Sequence, residues 1–175
     1  MWGRKKVMDM QDYKKIEETV KKQEQMLRFE HFSNKDAWEF GSFMVQKAYN
    51  EGIELAIVIR KLNGNIVFQH CTEGTNLCNE NWMLRKFHTV SMMERSSFGF
   101  WAETMSKGEN LSTHALDEKD YALCGGGFPI WLKTGEIVGV AIVSNLPHEQ
   151  DHDFIVESMS EYLQISDVPR ISAFE

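Results

Sequence analysis

The chain of 175 residues fits one domain and leaves little room for two. Its 42% hydrophobic and 11% aromatic content is enough to build a core and excludes a disordered chain as the default. With 19 Lys and Arg against 26 Asp and Glu the net charge is -7, which argues against a general nucleic-acid surface, since phosphate binding draws on clustered cations.

The longest apolar runs, such as Leu55-Ala56-Ile57-Val58-Ile59, are strand-sized and fall short of the roughly 20 residues a membrane helix needs. No membrane partner is expected. The basic start Met1–Lys6 is followed by Asp9, Asp12, Glu17 and Glu18 rather than by an apolar stretch, so it does not read as a secretory signal. Cys71, Cys78 and Cys124 are odd in number and contain no CxxC pair. They read as reduced thiols of a cytoplasmic protein, not as a disulfide framework or a zinc site.

A helix is predicted from about Asp9 to Leu27, with Ile16, Val20 and Leu27 as a thin apolar stripe among Lys and Glu. Residues 1–27 are therefore assigned to an N-terminal helix packed on the domain or on a neighbouring subunit. A short extended piece follows at Leu27–Phe32. The next helix is capped by Ser33 or Asn34, carries Asp36 in its first turn, repeats apolar residues from Ala37 to Ala48 and exits at Gly52. Glu54–Leu62 and Asn65–His70 flank Asn63-Gly64, a pair that predicts a tight hairpin because both positions tolerate positive φ.

Helical sequence resumes at Asn79–Met93 and Ser97–Met105, with a bend near Glu94–Ser97. A second hairpin pairs Gly127–Leu132 with Glu136–Ser144 across Lys133-Thr134-Gly135. Pro147 opens a last helix that runs to about Leu163. Hairpins impose antiparallel pairing, which rules out a parallel nucleotide-binding sheet as the main plan. The prediction is an α+β domain over residues 28–165, one antiparallel sheet with helices packed on it, followed by a tail at 166–175.

Four segments carry chemistry. Gly125-Gly126-Gly127, leading into Phe128, offers either backbone N–H groups for an anion or a tight turn with close backbone approach. Asn79, Trp82, Arg85 and Lys86 lie on one predicted helix, where the two cations are in position to meet a carboxylate. Ser96 and Ser97 are donors for the same ligand or plain helix caps. His148-Glu149-Gln150-Asp151-His152 matches the HExxH pattern, in which two His share a metal. Here the motif sits in the first turn of a helix and no later His follows, so no metal site is expected, with His148 and His152 as the only candidates.

Together these segments resemble the haem-degrading-domain family (GlcG/HbpS-like), in its short cytosolic branch. The resemblance rests on Gly74-Thr75, Asn79, Trp82, Arg85-Lys86 and Ser96-Ser97, then on Gly125–Ile130, Gly139, Ser144, Leu146-Pro147 and Asp151-His152. It extends over about residues 28–164. It implies a profilin-like fold with a five-stranded antiparallel sheet flanked by helices, homo-oligomers, and haem or a small anionic metabolite as ligand. Two departures stand out. Leu77-Cys78 replaces the usual Pro-Asp, and Ser144-Asn145-Leu146-Pro147 has Asn where glycine is usual.

Three functional expectations follow. The first is an oligomeric ligand-binding protein using Asn79, Trp82, Arg85, Lys86, Ser96, Ser97, Gly125, Gly126, Gly127 and Phe128, with His152 or His88 as the axial ligand if the ligand is haem. The second is an enzyme with Asp151 and His152 as an acid–base pair. The third is a non-catalytic adaptor.

Overall fold

The computed structural model describes residues 8–171, so the basic start and the last four residues of the C-terminal tail lie outside the described residues. Helix α1 (Met10–Met26) is opened by a reciprocal capping box between Asp9 and Asp12. Its thin stripe buries Ile16 and Val20 against Phe98 and Ala102 of α4 (Ser97–Lys107). Strand β1 (Arg28–Phe29) follows, then α2 (Asn34–Glu51), which Ser33 and Asp36 cap and Gly52 ends in the left-handed conformation.

Strands β2 (Ala56–Lys61) and β3 (Ile66–Cys71) form the first hairpin. Helix α3 (Leu77–Met93) begins two residues earlier than predicted, because Asn76 and Asn79 make a capping box that places Leu77 and Cys78 in its first turn. Glu94 at φ 52° separates α3 from α4, so the predicted bend is a break. A 3-10 turn at Leu111–His114, absent from the prediction, leads towards β4 (Gly127–Leu132), β5 (Ile137–Ser144) and α5 (His148–Leu163).

The sheet order is β1-β4-β5-β2-β3. The four long strands pair antiparallel as expected, and the two-residue edge strand β1 adds to β4 in parallel. Alternation along β2 and β5 sorts the core into two layers. Ile57, Ile59, Ala141 and Val143 face α2 and α5, where they meet Phe40, Met44, Ile155 and Met159. Ala56, Val58, Val140 and Ile142 face α3 through Met83, Phe87 and Val90. The result is an α+β sandwich with the sheet between helical layers. No helix among the described residues is long and apolar enough to cross a membrane.

Candidate functional site

Where β5 ends, the chain turns through Asn145 into α5, and the N-terminal turns of α3 and α5 come together. Between them lies an open cleft of about 410 Å³ lined by Asn76, Cys78, Asn79, Trp82, Lys86, Cys124, Ser144, Asn145, Leu146, His148 and Asp151. Asn79, Trp82 and Lys86 recur at helical spacing, so α3 presents all three on one face.

Lys86 and Asp151 form the floor. The Lys86 Nζ donates to Asp151 Oδ2 at 2.7 Å and to the Val143 carbonyl at 2.8 Å, with both side chains almost fully buried. The second carboxylate oxygen accepts the Leu146 N–H at 3.1 Å, which ties the β5–α5 turn to the pair. Burial raises the Asp151 carboxyl above its ordinary range, against the opposing pull of the Lys86 ammonium. The sequence expectation gave Lys86 a ligand carboxylate; its principal partner is a carboxylate of the protein.

Asn79 serves two ends of the site. Its Oδ1 accepts the Asn76 N–H at 2.9 Å, and its Nδ2 reaches Ser144 Oγ and Asn145 Oδ1, each at 3.3 Å. Asn145 has φ 147°, a region that favours glycine, and its own Nδ2 donates to the Glu54 carbonyl at 3.0 Å. The turn thus keeps its unusual backbone without glycine, held by side-chain hydrogen bonds.

The glycine run works as a packing seam. An added Cβ would lie 2.2 Å from the His148 carbonyl oxygen at Gly125, 2.5 Å from the Lys86 Nζ at Gly126 and 2.9 Å from Val90 at Gly127. The N–H groups of Gly125 and Gly127 donate to His148 Nδ1 at 3.3 Å and Ser97 Oγ at 3.0 Å. Those two donors are spent on the protein, which corrects the reading of an anion cradle. Gly126 combines a close approach with a left-handed backbone, at φ 106° and with the Val143 carbonyl oxygen also 2.7 Å from an added Cβ. Gly126→Ala is expected to cost about 1–3 kcal/mol from overpacking, read as a lowered urea midpoint.

Of the residues singled out from sequence, Asn79, Trp82, Lys86, His148 and Asp151 converge on the cleft. Arg85 does not line it. Its guanidinium stacks on Trp82 at 4.3 Å and donates to the Tyr121 carbonyl at 3.3 Å, so it buttresses the tryptophan from behind. Ser96 caps α4, Ser97 holds Gly127, and Phe128 is buried in the core.

His152 turns the other way. Successive helical side chains diverge by about 100°, so Asp151 meets Lys86 while His152 enters the core between Phe98 and Phe128. Its Nε2 is 2.8 Å from Gln23 Oε1 on α1, and burial pushes its pKa down to about 3. An Asp151–His152 acid–base pair is therefore contradicted: the two side chains occupy different compartments. Among the described residues no cluster of His, Cys, Asp and Glu is arranged to hold a metal.

Sequence reasoning did not pick out Asn76, Cys78, Cys124, Ser144, Asn145 or Leu146 as site residues, although all line the cleft. Nothing local marked Cys124, whose thiol burial holds above its ordinary pKa.

Fold and site together define an α+β domain with an open cleft of mixed polar and apolar lining at the end of its central sheet. Residues 32–160 match the family described as "Haem degrading protein HbpS-like", and the chain belongs to that family. A UPF0303 protein of Zymomonas mobilis is 35% identical over 145 residues, covering 82% of this chain and 77% of that protein. Among solved structures, the Ybr137w protein superposes with a TM-score of 0.79 at 23% identity, covering 92% of this chain and 99% of that one. PduOC, solved as a haem complex, gives 0.62 at 18% identity, covering 74% and 93%.

Proposed function

We propose that the chain is a small-molecule-binding protein whose site is the α3–α5 cleft, and that its ligand is a small polar molecule bearing a carboxylate or carbonyl oxygen. The observation that carries this is the buried Lys86 ammonium. It has three N–H donors, two are used on Val143 and Asp151, and among the described residues the third has no acceptor. A buried donor without a partner is costly, and it belongs to a residue lining a cleft of about 410 Å³. A ligand oxygen would complete it. Trp82, held by Arg85, would cover an apolar part of the same ligand.

The test is calorimetric titration with a panel of small carboxylates and carbonyl compounds. Saturable binding is expected for at least one, and Trp82→Ala should weaken it about tenfold, a loss of about 1.4 kcal/mol. A Trp82→Ala variant that loses its assembly state while ligand affinity stays unchanged would instead favour the adaptor reading.

Haem is the second reading, favoured by the family and by the PduOC complex. The axial ligands expected from sequence do not fit it. His152 is enclosed by Phe98, Phe128 and Gln23, and His88 lies outside the cleft with Nδ1 2.8 Å from the Asp120 carbonyl oxygen. The cleft mixes the two kinds of lining, with Trp82, Leu146, Cys78 and Cys124 beside three asparagines, a serine, His148 and the Lys86–Asp151 pair. Hemin added to the pure protein is expected to give no stoichiometric Soret shift. A shift abolished by His148→Ala would restore haem, with His148 as its ligand.

Self-association is part of the proposal. The outer side of α3 exposes Leu77, Leu84 and Met92, more apolar surface than a solvated helix needs.

A further inference from the structure

We propose that Lys86 forms an imine with a small carbonyl acid, of the α-keto or aldehyde acid class, bound in the cleft. This rests on the small-molecule reading above and names its chemistry. An ion pair that served only to hold α3 to α5 would have no need to line a cleft, yet Lys86 and Asp151 both do. Nζ lies 2.7 Å from Asp151 Oδ2, so a proton can pass directly from ammonium to carboxylate without solvent. Gly126 packs against Nζ, where an added Cβ would come within 2.5 Å, so glycine at this position is what lets the lysine sit beside Asp151.

The cleft can also position such a ligand. Its carboxylate would find a hydroxyl donor at Ser144, whose oxygen accepts from Asn79, and the N-terminal end of α5, where the helix dipole favours an anion, at His148. Burial of Asp151 raises its proton affinity, which suits a group that must take a proton and return it.

The step balances within these groups. Asp151 takes one proton from the Lys86 ammonium. The free amine adds to the carbonyl carbon, forming a C–N bond as the C=O π pair moves to oxygen, which takes a proton from nitrogen. The resulting carbinolamine hydroxyl receives the proton held by Asp151 and leaves as water, giving a protonated imine on Lys86. No oxidant or reductant is consumed.

The experiment is reductive trapping on the full chain. The protein is incubated with pyruvate or glyoxylate, reduced with sodium borohydride and mapped by peptide mass spectrometry. The expected result is a borohydride-dependent adduct concentrated on Lys86, with exposed Lys35 and Lys133 little labelled, and its loss in Lys86→Arg, which keeps the charge but cannot form the imine. Labelling of the exposed lysines with Lys86 unmodified overturns the proposal. The peptide map of the unaltered protein decides the matter even if Lys86→Arg fails to fold. Calorimetry with the same two acids separates the two readings: saturable binding without trapping overturns the imine and leaves the small-molecule site standing. Neither binding nor trapping overturns the imine, and the wider panel then tests the site by itself.

Discussion

Replacing Lys86 by Met is expected to destabilise the protein by about 3–5 kcal/mol, because it strands the Asp151 carboxylate in a buried setting. Asp151 and Lys86 sit on helices packed against different faces of the sheet, and their hydrogen bond at 2.7 Å runs through the gap that Gly126 leaves open. Removing one charge leaves the other desolvated, with backbone N–H groups of the β5–α5 turn, Leu146 at 3.1 Å among them, as its remaining support. Asp151→Leu alone should be comparably harmful, since it leaves the ammonium with the Val143 carbonyl at 2.8 Å. The double variant Lys86→Met with Asp151→Leu should recover most of the loss, because a buried pair exchanged for apolar groups is often close to neutral. Urea denaturation of the four proteins gives the coupling energy directly. Additive losses in the double variant would show that the pair is not one electrostatic unit. Recovery of stability without recovery of ligand binding would separate the structural role of the pair from its role in the cleft.

Much of the fold was legible because its signals are local. Ser33 and Asp36 form the capping box that their spacing suggests, Asn63-Gly64 and Thr134-Gly135 turn the hairpins, and alternation along β2 and β5 assigns each side chain to a layer. The parallel pairing of β1 with β4 was not legible, since two residues of extended chain carry no register information of their own.

The site was legible only in part. The helical spacing of Asn79, Trp82 and Lys86 put them on a common face, and the cleft uses that face. Their partners lie 57 to 66 residues away, at Val143, Ser144, Asn145 and Asp151, and no local pattern connects them. The glycine run was marked as a place of close approach or of anion contact, and only the packing decides between the two. Its neighbours are a lysine, a helix terminus and a serine supplied by three different elements. Asp151-His152 illustrates the converse. Adjacent letters suggested a pair, but one step along a helix rotates them into separate environments.

That separation buries His152 and couples its protonation to folding. Gln23 Nε2 donates to the Pro169 carbonyl at 2.8 Å, so Gln23 Oε1 must accept, and His152 Nε2 must carry the proton it donates. The imidazole is then neutral, with a buried Nδ1 that has no hydrogen-bond partner. Burial pushes its folded-state pKa down to about 3 from the ordinary 6.5. Between those values the unfolded chain binds a proton that the folded chain does not, so stability rises with pH across the window. The contribution is fully present above about pH 6.5 and is lost by about 1.4 kcal/mol per unit as pH falls, roughly 4 kcal/mol between pH 7 and pH 3.5. Asp151, raised in the folded state, works in the opposite sense, so the wild-type profile alone does not isolate His152. His152→Gln does. Its amide can still donate to Gln23 Oε1 but does not titrate, so its stability should fall less steeply than the wild type's below pH 6.5. The two curves should converge as the solution is acidified and cross if Gln packs well between Phe98 and Phe128. Because Gln23 and Pro169 share this hydrogen-bonded chain, hydrogen exchange at acid pH should rise first in α1 and around Pro169. Parallel curves for the two proteins, with exchange uniform along the chain, would place the acid sensitivity elsewhere.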